Sequence, residues 1–524
     1  MLFSSYEFVF LFFPLCILLF HSAIFFGQNR GSLCILFVAS LFFYAWWDIR
    51  FLPLLLGSIT VNFLIGLALG SYKIHRWGSS AWLIIGVSLN LILLAFFKYW
   101  DFFASNVNGV ANTSIPLISA ILPLGISFFT FEQISYLVDT RRSGEPERDP
   151  LRYALFVAFF PRLVAGPILR ASEFLPQVAS GRLTSRLTPD LAVGLTLFAI
   201  GLFKKTVIAD GVAVYATPVF AMAATGEPLD LLTAWAGALA YTMQLYFDFS
   251  GYSDMAIGAA RCFGIRFPLN FWSPYKAKSI VEFWRFWHMT LSRFLRDYLY
   301  IPLGGSRRGT ARRYVNLMAT MLLGGLWHGA NWTFVAWGAL HGFYLMVNHA
   351  WEQLCRRSRA LGRIDGWPAT RAVYWLITFL AVVVAWVFFR APTFVAAKAM
   401  LHAMAGLDGV SIPSGVAAAL GPLQTPLLQL GVTFGAGSGS LLIASYTWIA
   451  ILLIVVLRMP NAVQLLERWQ PVLDQPPHSD VDDANPAVRI IWRPNLYWAG
   501  AIAAMGVLGV FAIARGGEFL YWQF

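Results

Sequence analysis

From Phe8 to Phe26 the chain carries no Asp, Glu, Lys or Arg, and stretches of this kind recur along its whole length. A hydrocarbon core of about 30 Å needs about 20 predominantly apolar residues in one helix. Apolar runs suited to that length lie near 8–26, 31–48, 52–70, 81–98, 115–137, 191–208, 229–247, 314–328, 332–350, 373–389, 440–457 and 496–514. Two further segments, 151–169 and 283–303, are apolar but interrupted by Arg and Pro, which suggests re-entrant or interfacial helices. The pattern predicts an all-α integral membrane protein, a polytopic helical bundle of about ten to twelve spans.

Composition agrees. Hydrophobic residues make up 58% of the chain and charged ones 12%, against roughly 45–50% and about 25% in soluble domains. Before Phe8 stands Glu7, with no basic residue and no small-residue cleavage pattern nearby, so the first run reads as a retained span and not as a signal peptide. Cys16, Cys34, Cys262 and Cys355 show no paired spacing, so neither a disulfide framework nor a zinc site follows. The excess of 38 Lys+Arg over 26 Asp+Glu fits cationic loops on the cytoplasmic side of a membrane, and nucleic acid is not expected as a partner.

Basic residues also set an orientation. Arg30 follows the first span, Lys73, His75 and Arg76 follow the third, and Arg141, Arg142, Arg148 and Arg152 follow the run ending near Val138. The connection from Asp101 to Ser114 has no Lys or Arg and reads as an outside loop, so the N-terminus is expected outside. Residues 460–495, with Pro476, Pro477, Asp480, Asp482 and Asp483, read as an exposed connection. No internal repeat is visible, which favours one membrane domain over 1–524 and counts against an inverted-repeat transporter.

Residues 244–349 differ in kind from the rest. Asp248, Ser250, Tyr252 and Asp254 form a polar cluster on an apolar run. Carboxylates at membrane depth cost roughly 2.5–3.5 kcal/mol on insertion scales, so they need partners or water. Either the cluster belongs to a site, or it is a helix end satisfied by Arg261 or Arg266. Further on, Trp284, Trp287, His288 and Leu291 recur at helical spacing on one face, with Arg293 and Asp297 four apart as a candidate pair. An aromatic and cationic helix of that kind commonly lies along an interface. His288 stands out because it lines up with the tryptophans and not with the charges.

Then the 38 residues from Tyr314 to Trp351 contain no Asp, Glu, Lys or Arg. As one helix they would span about 57 Å, far more than the hydrocarbon core, so the helix is expected to break. The expected place is Trp327-His328-Gly329-Ala330-Asn331-Trp332, which puts His328 at a discontinuity facing protein or a water-filled cavity. A neutral imidazole there suits a general base; the alternative is a core histidine bridging two helices. His341 and His349 read as core histidines, and His21, His75, His402 and His478 as incidental. No Gly-x-Ser-x-Gly elbow is present, which argues against a serine acyl-enzyme.

Several blocks then bear a resemblance. They are Met1-Leu-Phe-Ser-Ser, Phe42-Phe-Tyr-Ala-Trp-Trp, Pro123-Leu-Gly-Ile-Ser-Phe-Phe-Thr-Phe, Phe160-Pro-Arg-Leu-Val-Ala-Gly-Pro-Ile, Phe247-Asp-Phe-Ser-Gly-Tyr-Ser-Asp, Phe286-Trp-His-Met-Thr-Leu-Ser, Tyr300-Ile-Pro-Leu-Gly-Gly and Gly325-Leu-Trp-His-Gly-Ala-Asn-Trp. Together they cover essentially the whole chain, which resembles the membrane-bound O-acyltransferases. The similarity is to the bacterial branch that O-acetylates alginate and D-alanylates teichoic acids.

The resemblance implies a ring of helices around a thinned centre, where acyl donor enters from the cytoplasm and acceptor from outside. It makes His328 the catalytic histidine and His288 the second polar residue of the site. Asp248, Ser250, Trp287, Trp327 and Asn331 are then candidate substrate contacts. Length and the ending Gly517-Glu-Phe-Leu-Tyr-Trp-Gln-Phe resemble the polysaccharide-acetylating branch. That branch implies an acyl thioester donor (acetyl-CoA or an acyl carrier), no tightly bound cofactor or metal, and a periplasmic SGNH-type acetyltransferase within an exopolysaccharide machinery. Lys204, Lys205 or the basic 276–312 region are candidates to meet a carrier's phosphates. Other acceptors stay open: alginate, acetylated cellulose, peptidoglycan or, by D-alanyl transfer, teichoic acid. A transporter or flippase with His328 as proton relay, or a non-catalytic scaffold, is the rival class.

Overall fold

The computed structural model describes residues 1–71, 76–179, 187–358, 361, 367–435, 438–473, 490–517 and 520. Within them the chain is nearly all helix; one small parallel sheet pairs Val410–Pro413 with Val432–Gly435. Seven helical segments among the described residues are long and apolar enough to cross a membrane: Phe8–Phe25, Ile49–Gly70, Gly78–Ala111, Leu187–Thr225, Pro368–Arg390, Gly439–Arg458 and Leu496–Ile513. Other runs expected to span are helices too, including Asn29–Ala45, Leu231–Cys262, Thr310–His328 and Trp332–Arg357, but these are shorter or more polar. The run expected at 115–137 is helix only from Ile126, as Ile126–Ser143, after a non-helical stretch. The protein is an all-α, multi-pass membrane protein.

Two of the seven are far longer than a bilayer requires, 34 residues for Gly78–Ala111 and 39 for Leu187–Thr225. Each contains a π-helical turn, Ala95–Tyr99 in the first and Lys204–Ala209 in the second. Such turns are often found at functional sites. The expected outside loop at Asp101–Ser114 is largely helix instead, since Trp100–Ala111 continues beyond the π turn. Asp101 then accepts hydrogen bonds from the backbone N–H groups of Ile118 and Ser119, at 2.8 and 2.9 Å, and so ties down the returning chain.

Leu231–Cys262 is the axis of the molecule. Every residue from Ala240 to Phe263 is buried. Its neighbour Leu187–Phe203 meets it through glycines seven residues apart on each helix: Gly194 faces Gly258 and Gly201 faces Gly251. A Cβ built on Gly194 would lie 2.6 Å from the Gly258 carbonyl oxygen, so only glycine permits this approach. Small residues of this kind let helix backbones touch inside a membrane, where there is no hydrophobic drive between helices.

The charges in this interior are paired. Lys204 meets Asp254 at 2.8 Å, Lys205 meets Asp210 at 2.6 Å and Asp248 at 2.9 Å, and Arg261 meets Asp190 at 2.8 Å. Asp248 therefore lies with Lys205, not with Arg261 or Arg266. The backbone N–H of Leu520 also donates to it, at 3.1 Å, which draws the C-terminal end of the chain onto the core. Arg293 pairs with Glu173 at 2.7 Å, and Asp297 pairs with Arg170 and Arg296.

Of the two interrupted segments, 151–169 is enclosed, while 283–303 is mixed, with Arg285, Arg296, Ile301 and Pro302 exposed. Residues 153–169 are all buried, as helix Pro150–Ala158, a kink at Phe159, the short turn Phe160–Leu163 and an extended stretch. Irregular backbone at depth survives where protein surrounds it. Lys73, His75, His478 and the Pro476–Asp483 part of the expected connection lie outside the described residues. The described flanks of that connection pack on the body, with Leu466 fully buried and the Trp492 N–H donating to the Leu465 carbonyl at 2.8 Å.

Candidate active site

The uncharged stretch divides as its length requires. One helix runs Thr310–His328, Gly329 is extended (φ −167°, ψ 149°), and the next helix is Trp332–Arg357. Asn331 caps that second helix: its Oδ1 accepts from the Thr333 N–H at 3.1 Å, and its Nδ2 donates to the Pro392 carbonyl at 2.9 Å. Both polar ends of Asn331 thus hold backbone. The two helices cross where glycines face each other's backbone. A Cβ on Gly325 would collide with the Phe334 carbonyl, and one on Gly338 with the Met321 carbonyl.

His328 is the last residue of the first helix and is 3% exposed. Aromatic rings wall it in: Trp327 at 5.0 Å between centroids, Trp337 at 5.1 Å and Phe389 at 5.1 Å. Lys98, His288 and His341 all lie within electrostatic reach of its imidazole. Trp327 stands between the two expected site histidines, since its ring is also 6.3 Å from that of His288.

His288 is placed by a break that helical periodicity conceals. The expected single helix through Trp284, Trp287, His288 and Leu291 is two, Ile280–Phe286 and Met289–Leu295. Between them His288 adopts φ +42°, a left-handed conformation that costs a non-glycine residue about 1–2 kcal/mol. The surroundings hold it there. The Met289 N–H donates to the Asn270 carbonyl at 3.0 Å, and His288 Nδ1 donates to Asn270 Oδ1 at 3.1 Å. Thr290 Oγ1 donates to the same Oδ1 at 3.0 Å and accepts from the Ile168 N–H at 3.1 Å, tying the Gly166–Ile168 stretch to the site. Asn270 Nδ2 in turn donates to Ser253 Oγ at 3.1 Å. With its proton on Nδ1, the neutral His288 ring carries its lone pair on Nε2.

Trp287 is buried in an aromatic wall with Phe283, Phe271 and Trp386, the last at 4.9 Å, and does not lie along an interface. Ser250 and Asp248 are both buried on the axial helix, where Asp248 faces Lys205 of the Lys204–Ala209 turn. His341, read from the sequence as a core histidine, is fully buried, and Trp284 Nε1 donates to its Nδ1 at 3.2 Å. His21 donates to the Cys262 carbonyl at 2.9 Å, and His402 pairs with Asp408 at 2.8 Å.

Sequence reading passed over two residues. Lys98 Nζ donates to the Trp327 carbonyl at 2.5 Å, with the His328 carbonyl and Ser127 Oγ both at 3.4 Å. Tyr99 OH donates to the Leu326 carbonyl at 3.0 Å. The available signal was a lone lysine in a span otherwise free of charge to its N-terminal side. A groove of about 1030 Å³, lined by Val9, Ala192, Leu202, Trp492, Arg493 and Val510 among others, lies on another part of the molecule and includes neither site histidine.

The fold and the buried imidazoles define a polytopic membrane protein with two histidines enclosed at breaks between helices inside its bundle. A family model described as the membrane-bound O-acyltransferase family matches residues 124–389, which hold both histidines, Asn270 and the axial helix. The chain is 45% identical over 406 residues to a peptidoglycan O-acetyltransferase of Helicobacter pylori, covering 72% of this chain and 74% of that protein. It is also 45% identical over 411 residues to a probable alginate O-acetylase of Pseudomonas putida, covering 77% and 80%. A teichoic acid D-alanyltransferase of Bacillus subtilis is 27% identical over 325 residues, covering 60% and 79%. The chain belongs to the membrane-bound O-acyltransferase family and is an O-acyltransferase, multi-pass and of the inner membrane in bacteria.

Proposed function

We propose that the protein transfers an acetyl group from a thioester donor on the cytoplasmic side to a hydroxyl destined for a polysaccharide outside the membrane. The observation that carries this reading is the pair His328 and His288, both buried, flanking Trp327 where the backbone breaks. His328 takes the hydroxyl proton; the hydroxyl oxygen bonds to the thioester carbonyl carbon; the C–S bond breaks, and the imidazolium returns the proton to the leaving thiolate. General-base action of this kind is typically worth about 10²–10⁴-fold, and positioning in a site with little solvent adds to it.

The tautomer of His288 supports a particular division of labour. A neutral ring protonated on Nδ1 offers a lone pair at Nε2, which can hold an incoming hydroxyl but cannot donate to a carbonyl. This favours orienting the acceptor over polarising the donor. Acetyl in preference to D-alanyl is supported by the 45% identity to two proteins named for acetyl transfer, against 27% for the D-alanyltransferase. The acceptor is an exopolymer such as alginate or the glycan of peptidoglycan, reached directly or through a periplasmic SGNH-type partner. Asn331, bound to backbone at both ends, holds the break that follows His328, and Trp287 and Trp327 line the site; Asp248 is paired with Lys205 in the core.

The test is His328→Ala in cells lacking the native copy, with membrane insertion verified and acetyl content measured on isolated peptidoglycan and on exported polymer. Loss of acetyl groups from one of the two identifies the acceptor. Normal acetylation of both by an inserted variant would falsify the reading, and loss of polymer export with its acetyl groups intact would point to transport.

A further inference from the structure

We propose that Lys98 is a positioning residue for His328: its ammonium, with the Tyr99 hydroxyl, clamps the end of the helix on which the imidazole stands. The inference rests on the reading of His328 as the base.

The last four carbonyls of an α-helix have no partner within the helix. Here the last residues are Gly325, Leu326, Trp327 and His328, and the chain turns extended at Gly329, so no following turn of helix can serve them. Tyr99 OH donates to the first of three successive carbonyls, Leu326, at 3.0 Å. Lys98 Nζ donates to the next, Trp327, at 2.5 Å and lies 3.4 Å from that of His328. A cation at a helix C-terminus also meets the negative end of the helix dipole. Among the described residues no carboxylate pairs with Lys98, so carbonyl oxygens offset its charge in place of an acid. The ammonium is further 5.8 Å from the centre of the Trp327 ring, the ring that separates the two histidines.

The π turn at Ala95–Tyr99 makes this possible. In an α-helix consecutive side chains point about 100° apart. The wider π turn reduces that angle, and so two adjacent residues of one span reach the same helix end. Without the clamp the final turn frays, and a misplacement of about 1 Å in a catalytic group can cost about 10²-fold in rate.

The experiment uses the full-length protein. Lys98→Met, Lys98→Arg, Tyr99→Phe and His328→Ala are compared with the parent for acetyl content of cell polymer at matched protein level. Each is then purified into lipid nanodiscs for amide hydrogen exchange. Lys98→Met is expected to lower acetylation at least tenfold, and to speed exchange over 322–331 while 240–262 stays as in the parent. Lys98→Arg, which keeps charge and donors, is expected to recover at least a third of the activity. Tyr99→Phe, the milder change should Lys98→Met fail to insert, is expected to show a two- to fivefold loss with the same local pattern. Parent-like exchange over 322–331 in Tyr99→Phe and in any inserted Lys98→Met overturns the inference, as does faster exchange throughout the chain or more than half the parent's acetylation in Lys98→Met. An active His328→Ala instead overturns the assignment of the base, and exchange over 322–331 still reports on the clamp.

Discussion

His288 and Asn270 are joined through Nδ1 and Oδ1 at 3.1 Å, and this one bond decides which nitrogen of the imidazole carries its proton. Asn270 belongs to none of the helices. It lies in the irregular stretch after Leu231–Cys262, fully buried, where it also receives Thr290 and donates to Ser253. Asn270→Ala is therefore expected to release the His288 ring while leaving its backbone bond to Met289 intact. Acetyl transfer should fall about tenfold to a hundredfold, the range known for partners that orient metal-bound imidazoles. Acetyl content of the polymer at matched protein level is the measurement.

The left-handed backbone at His288 separates shape from chemistry. Asparagine tolerates φ +42° better than most residues, whereas a β-branched residue does not. His288→Asn should keep the thermal midpoint of the detergent-solubilised protein near that of the parent while activity falls. His288→Val should lose activity and about 1–2 kcal/mol of stability as well. Equal midpoints for the two variants would show that the strained conformation is not imposed by its surroundings.

The crossing at Gly325 and Gly338 sets how closely the His328 helix approaches its successor. Gly338→Val places a branched side chain against the Met321 carbonyl, and backbone cannot give way as a side chain can. The expected outcome is loss of folded protein in the membrane, read as a drop in the monodisperse fraction after solubilisation. Gly500→Val, where a Cβ meets nothing within 4 Å, is the control.

The buried pairs predict an asymmetry. Lys205→Met leaves Asp210 and Asp248 without the cation they share, and such a break typically costs about 3–5 kcal/mol. Asp248→Asn leaves the 2.6 Å pair of Lys205 and Asp210 in place, so about 1–3 kcal/mol is expected. Thermal unfolding of the two variants in the same detergent gives the order directly.

Much of this was legible in the sequence, because the signals were local or additive. The break at His328 followed from length alone: a run of 38 uncharged residues cannot cross a bilayer straight. The break at His288 was hidden, since Trp284, Trp287, His288 and Leu291 have the spacing of one helical face and the backbone turn depends on Asn270, which comes from another part of the chain. Arg261 and Arg266 were nearer in sequence to Asp248 than Lys205 is, and which cation meets a carboxylate is a tertiary fact. Lys98 looked like the polar end of a span because a π turn leaves no mark in apolar periodicity. The family blocks supplied the roles of the histidines; composition and spacing supplied only their unusual setting.

The pairing of Lys204 and Lys205 with Asp254 and Asp248 bears on how the chain enters the bilayer. Both lysines lie in Leu187–Thr225 and both aspartates in the next helix, Leu231–Cys262. Alone, the first segment would keep the Lys205–Asp210 pair but leave Lys204 without its acid, and the second would carry Asp248 and Asp254 without a cation, at roughly 2.5–3.5 kcal/mol for each central group. Delivered together as a hairpin, they bring both lysines onto Asp254, Asp248 and Asp210 beside the glycines at 194, 201, 251 and 258. The insertion machinery has reason to retain the first helix until the second has been made. A nascent chain halted near Thr225 should stay crosslinkable to the translocation channel, and one extended past Cys262 should leave it.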